Sequence, residues 1–141
     1  MAKASETVEQ QGMEHIAIHR IGGCLLVAVQ TELHDRIAKS LKEDLTAQIV
    51  ATRAGGVLID ISGLDIVDSF MGRTLSNIAT IARVLDAVTV VVGMRPQVAI
   101  TLVELGLSLK GIRTALNVDK GLEIMKPLLE RPGNSGADTQ V

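Results

Sequence analysis

The chain has 141 residues, a formal net charge of −2, 47% apolar and 21% charged residues, the profile of one globular domain rather than a disordered chain. Its single cysteine, Cys24, excludes an intramolecular disulfide and fits a reducing cytoplasmic setting. One Phe, no Trp, no Tyr and no basic surplus argue against nucleic-acid binding, which uses cationic faces and aromatic platforms. The longest internal charge-free stretch, Ile21 to Thr31, is far short of the ~20 residues of a membrane span.

Residues 1–12 are polar and aperiodic and lack the apolar core of a secretory signal; they read as a flexible leader. Residues 131–141 collect Pro, Gly, Asn and Ser and read as a disordered tail. The folded domain is expected over 13–130. His15 to Ile21 alternates apolar and polar residues, as a half-buried strand does. Gly22-Gly23 then marks a turn into the apolar run Cys24 to Val29, so a hairpin is expected.

From 35 to 52 the spacing becomes helical. Ala38, Leu41, Leu45 and Ile49 share a face, with Asp35 as expected N-cap and Gly55-Gly56 as expected terminator. Val57 to Ile61 has the apolar, β-branched character of a strand buried on both faces. A helix is predicted over Ser69 to Leu85, with Met71, Leu75, Ile78, Ala82 and Leu85 as its buried stripe. Further along, Val88 to Val92 reads as a strand, Gln97 to Leu105 as a helix closed by Gly106, Thr114 to Leu116 as a short strand, and Asp119 to Leu129 as a helix. The order β-β-α-β-α-β-α-β-α predicts an α/β fold: a mixed, mostly parallel sheet flanked by helices, with one antiparallel hairpin at its edge.

No GxGxxG and no GxxxxGK[ST] is present, so the usual phosphate cradles are missing. His15, His19 and His34 lack metal-ligand spacing and read as solvated residues rather than ligands. Cys24, inside an apolar strand, reads as a small hydrophobe. The informative segment joins the strand ending near Ile61 to the helix starting near Ser69. It crowds Asp60, Asp65 and Asp68 together with no Lys or Arg between Arg53 and Arg73. Ser or Asp at such a junction ordinarily caps the helix. The alternatives are acid/base chemistry, for which no nucleophile–His pair is present, and a phosphorylation switch at Ser69. A phosphoserine brings about −1.5 to −2 charge, welcomed by the helix N-terminus and repelled by Asp65 and Asp68. A second segment, Gly93-Met94-Arg95-Pro96, turns from a strand into a helix, where Pro96 suits the first turn. Thr101 falls mid-helix, where a hydroxyl bonds back to the preceding turn.

The run Ile59-Asp60-Ile61-Ser62-Gly63 followed by Asp68-Ser69, then Gly93-Met94-Arg95-Pro96, then Ile100-Thr101-Leu102-Val103-Glu104-Leu105-Gly106 resembles the STAS domain of anti-sigma factor antagonists. The likeness covers about Glu14 to Leu129 and is greatest to the stressosome proteins of RsbS type. Where simpler antagonists continue Asp-Ser-Ser-Gly, this chain reads Asp-Ser-Phe-Met-Gly, as RsbS-type chains do. The resemblance implies a cytoplasmic, non-enzymatic scaffold without cofactor or metal. Such a scaffold co-assembles with RsbR-type paralogues into a large stressosome, forms homo-oligomers, holds an RsbT-type serine kinase and releases it on phosphorylation, and is reset by a phosphatase. It also implies Ser69 as the phosphorylated residue, with Thr101 at the position of a second site in RsbR-type chains. Asp60, Ser62, Gly63, Asp65, Asp68, Phe70, Gly72, Arg95 and Pro96 then form the switch loop and kinase-docking surface. Two other readings stay open: a STAS module that binds a nucleotide or lipid, and a hydrolase using the Asp cluster.

Overall fold

The structure, a computed structural model, describes residues 16–107 and 109–130. The expected leader, His15 and the expected tail lie outside the described residues. Five strands, β1 (Ile18–Ile21), β2 (Cys24–Ala28), β3 (Gly56–Asp60), β4 (Val88–Val92) and β5 (Ile112–Ala115), alternate with four helices after the opening hairpin. The helices are α1 (Asp35–Thr52), α2 (Ser69–Val84), α3 (Pro96–Glu104) and α4 (Val118–Leu129). The expected element order is therefore the observed one.

The strands lie in the order β1-β2-β3-β4-β5. β1 pairs antiparallel with β2, and the other pairings are parallel. Each parallel pair needs a crossover, which the helices supply. Side chains alternate across the sheet and build two cores. Leu25, Val27, Val57, Ile59 and Val91 face the larger one with α1, α2 and α3, whereas Leu58, Val90 and Val92 face the smaller one with Met125 of α4. Burial of Val57, Leu58 and Ile59 at 0% exposure explains their unbroken apolar run. α4 can cover its face alone because it sits very close to the sheet. A Cβ on Gly121 would lie 2.5 Å from Leu58 Cδ2 and 2.7 Å from Val92 Cγ1, and one on Gly56 would collide with Met125 Sδ.

Some local expectations fail. Asp35 is the first residue of α1 and not its cap; His34 occupies that position without a side-chain hydrogen bond. α1 is closed by Arg53 in the left-handed region, φ 55°, rather than by Gly55-Gly56. Those glycines serve tertiary packing, since a Cβ on either would meet Leu129 or Met125 of α4. β3 starts one residue early and ends at Asp60 rather than Ile61, α2 ends at Val84 with Leu85 as its cap, and β5 lies two residues upstream of its expected start. Pro96 opens α3 as expected, and Gly106, at φ 71°, follows its end.

Candidate functional site

The carboxyl ends of β3 and β4 carry the two segments that the sequence singles out. In open α/β sheets this is the end where loops diverge and sites form. Asp60 ends β3 and its Oδ1 accepts a hydrogen bond from the Ser62 N–H at 2.9 Å. The chain then turns through Ser62, Gly63 and Leu64, with the Leu64 N–H donating to the Ile61 carbonyl at 2.9 Å. Gly63 passes the end of β2 closely: a Cβ there would lie 3.2 Å from Gln30 Cα.

Capping divides the labour between two neighbours. Asp68 is the N-cap of α2, and its Oδ1 accepts from the Met71 N–H at 2.9 Å. Ser69 is the first residue of the helix and is half-buried. The ordinary reading of the junction thus holds for Asp68, and Ser69 is spared that task. Phe70 is half-buried against the larger core, and its carbonyl accepts from Thr74 Oγ1. Gly72 is buried, and a Cβ on it would strike Leu107 and lie 3.1 Å from Leu102 Cδ2. The first turn of α2 is therefore wedged against α3 and the loop after it.

Arg95 joins the two segments. Its Nε donates to the Ser62 carbonyl at 3.0 Å, and its Nη1 lies 2.8 Å from Asp65 Oδ1. Asp65, in a stretch that by sequence has no local cation, therefore has a counter-charge supplied from the neighbouring crossover. The pair is solvent-exposed, so its contribution to stability is modest, about 0.2–1 kcal/mol, but it fixes the relative position of two loops. Gly93, at φ 76°, presses on the same turn: a Cβ would lie 2.7 Å from Ser62 Cβ and 3.0 Å from Asp60 Oδ1. The sequence marks Gly93 as a strand end and as part of the Gly93-Met94-Arg95-Pro96 run, but not as a contact of the Ser62 turn. Its position in the chain, between a buried strand and Arg95-Pro96, was the available signal. Thr101 is half-buried in α3, and its Oγ1 donates to the Gln97 carbonyl at 2.8 Å.

Beside this turn lies a cleft of about 290 Å³ lined by Asp60, Ser62, Gly93, Leu116, Asn117, Val118 and Asp119. The N-terminus of α4 borders it, but the Asn117 side chain caps that helix through the Lys120 N–H at 2.9 Å. With Asp60 and Asp119 in its lining and no Lys or Arg among those residues, the cleft disfavours an anionic ligand. Leu116 and the α4 N-terminus were not among the expected site residues, because only the parallel register of β5 brings them beside Ser62. Among the described residues, no helix is long and apolar enough to cross a membrane.

A serine that begins a helix beside its capping aspartate, two interlocked crossover loops and a sheet of this order define a class, and comparison agrees. Residues 15–121 match the family model of the STAS domain, and the chain belongs to that family. Within it, the similarity runs to the stressosome proteins. A structure of a serine-to-glutamate variant of RsbS from Moorella thermoacetica superposes with a TM-score of 0.72 at 39% identity, covering 82% of this chain and 98% of that one. A chain in a structure of the stressosome, described as a signal integration and transduction hub, gives 0.72 at 41% identity over 82% of this chain and all of that one. The RsbT co-antagonist protein RsbRA of Bacillus subtilis (strain 168) is 31% identical over 94 residues, 67% of this chain. That match spans only 34% of RsbRA, so the chain spans about a third of the curated relatives it matches. SpoIIAA in its unphosphorylated form shares the fold, with a TM-score of 0.64 at 11% identity.

Proposed function

We propose that this chain is a phosphorylatable stressosome scaffold: it holds an RsbT-type serine kinase, releases it when Ser69 is phosphorylated, and is reset by a phosphatase. It acts in the cytoplasm, without catalysing a reaction itself, alongside RsbR-type paralogues in the assembled particle. The observation that carries this reading is the division of labour at the start of α2, where Asp68 takes the cap and leaves the adjacent Ser69 hydroxyl for another use.

Physical chemistry supports the choice of residue. A phosphate on Ser69 would sit in the first turn of a 16-residue helix, where the backbone N–H groups and dipole favour negative charge by about 0.3–1 kcal/mol. Asp65 opposes it less than the bare sequence suggests, because Arg95 pairs with that carboxylate. The added charge therefore weighs mainly on a partner docked over the junction, through repulsion and the cost of desolvating a dianion. Asp60, Ser62, Gly63, Asp65, Asp68, Phe70, Gly72, Arg95 and Pro96 shape that docking surface. Thr101, tied to Gln97, has a lesser claim to modification.

Intact-mass measurement after incubation with an RsbT-type kinase and ATP tests the reading. Gain of one phosphate on the wild type and none on Ser69→Ala is expected. Calorimetric titration should then show kinase bound by wild type and Ser69→Ala, and bound more weakly by Ser69→Asp. Equal affinity for all three would remove the switch.

A further inference from the structure

A second cleft lies at the opposite end of the domain, and it has no part in the reading above. About 340 Å³ in volume, it is bounded by Ile49, Val50 and Arg53 at the end of α1 and by Leu85 and Asp86 after α2. That volume is at the lower end of the ~300–1,000 Å³ of small-molecule sites, so the ligand it suits is compact. Gly55 also lines the cleft, immediately before β3. The cleft therefore sits at the amino ends of the parallel strands, whereas Ser69 follows the carboxyl end of β3. Its backbone is tied in place. The Gly55 N–H donates to the Gly23 carbonyl and the Val88 N–H to the Gly55 carbonyl, both at 2.9 Å, while the Asp86 N–H donates to the Arg83 carbonyl at 3.0 Å.

Three observations set the chemistry of the ligand. Arg53 and Asp86 are exposed and both line the cleft, yet neither makes an ion pair with a described residue, the other included. They are also the two non-glycine residues with left-handed backbone among those described, at φ 55° and 65°. Each follows a helix, at a place where glycine takes that conformation without strain. A charged side chain stands there instead at both helix ends, and strained backbone of this kind gathers at ligand sites. Finally, α1 and α2 both end at the cleft. Their last-turn carbonyls and negative dipole ends favour a cation near Asp86, while the Arg53 guanidinium suits a carboxylate. The rest of the lining is apolar: Ile49 and Ala54 are buried and Leu85 is half-buried.

A ligand that answers all of this carries an ammonium, a carboxylate and a short hydrocarbon body. We propose that the cleft binds an aliphatic α-amino acid as its zwitterion. The ammonium lies by Asp86 and the helix ends, the carboxylate on Arg53, and the side chain against Ile49, Ala54 and Leu85.

Amide NMR titrations of the full chain with L-leucine, 3-methylbutylamine and 4-methylpentanoate test the site. The amine lacks leucine's carboxylate, and the acid lacks its ammonium. L-Leucine is expected to shift the Ala54, Gly55 and Asp86 amides saturably and to leave Ser62 and Asn117 unmoved. Each analogue should bind about tenfold more weakly or worse, the loss of one charge-assisted hydrogen bond. Two glycine substitutions separate recognition from folding. Arg53→Gly and Asp86→Gly each relieve left-handed backbone, so the melting temperature without ligand should hold or rise. Arg53→Gly should erase the advantage of L-leucine over the amine, and Asp86→Gly its advantage over 4-methylpentanoate. A merely structural role for the two residues would not produce that pattern. A folded wild type that shows no saturable shift with L-leucine overturns the proposal. So do shifts confined to the cleft beside Asp60 and Asp119, or L-leucine bound as well by both glycine variants as by wild type. Phosphate transfer to Ser69 is read independently, so failure here leaves the switch reading intact, and the reverse.

Discussion

Gly93 and Gly106 offer a matched pair for testing how closely the two loops of the candidate site are packed. Both have left-handed backbone, φ 76° and 71°, but a Cβ on Gly106 meets nothing within 4 Å, whereas one on Gly93 lies 2.7 Å from Ser62 Cβ and 3.1 Å from Ser62 N. Alanine at either position costs about 1–2 kcal/mol for the left-handed conformation and recovers about 0.4–1 kcal/mol from the stiffer unfolded chain. Gly106→Ala should therefore lose roughly 1 kcal/mol. Gly93→Ala bears the same terms and, in addition, about 1–3 kcal/mol of overpacking. The obstruction there is backbone and a hydrogen-bonded Asp60–Ser62 turn, which cannot rotate away. The expected loss is about 2–4 kcal/mol, a large part of the ~5–15 kcal/mol that stabilises a domain.

Urea unfolding of both variants and the wild type, at one fixed protein concentration, reads the difference, because the conformational terms cancel between the pair. Amide exchange at Ser62 should quicken in Gly93→Ala alone. Equal destabilisation by the two substitutions, with Ser62 protection unchanged, would refute the close approach of the β4–α3 turn to the β3–α2 loop.

Asp68→Ala should cost about 1 kcal/mol by losing the cap and should expose the Met71 amide to exchange, while Asp68→Asn keeps an acceptor and should change little; chemical denaturation and exchange together check this. Burial pushes the Cys24 thiol up, and the thiolate is the reactive form, so modification by a disulfide reagent near pH 8 should be slow and should accelerate with added urea. Because the folded thiol ionises later than the unfolded one, its contribution to stability is complete below the unfolded thiol's pKa and is lost as pH rises through the folded value. Cys24→Ala should flatten that alkaline decline, and an unchanged pH profile would contradict it.

Local pattern determined most of the architecture. The stripe Ala38, Leu41, Leu45 and Ile49 is fully buried on α1, and the apolar run at Val88–Val92 is a strand with the expected ends. Spacing of this kind is set by the helix and strand repeats alone, so it is written within a few residues. Pro96 and Gly106 were legible for the same reason, each acting on its own backbone. Caps were less so: Asp35, Asp68 and Ser69 all have the right chemistry, and only the position of the first hydrogen bond separates a cap from its neighbour. Gly55-Gly56 looked like a helix stop because the pressure on those positions comes from α4, some seventy residues later.

The candidate site divides along the same line. That Ser69 begins a helix after an acidic loop was readable from order and composition. That Asp65 is paired was not. Its partner Arg95 reaches Ser62 across thirty-three residues, and an exposed ion pair leaves no trace in hydropathy. The approach of Gly93 to the turn and the cleft beside Asn117 and Asp119 were likewise decided by tertiary structure. Each depends on the register of neighbouring parallel strands, and that register is fixed jointly by packing on both faces of the sheet rather than by any one segment.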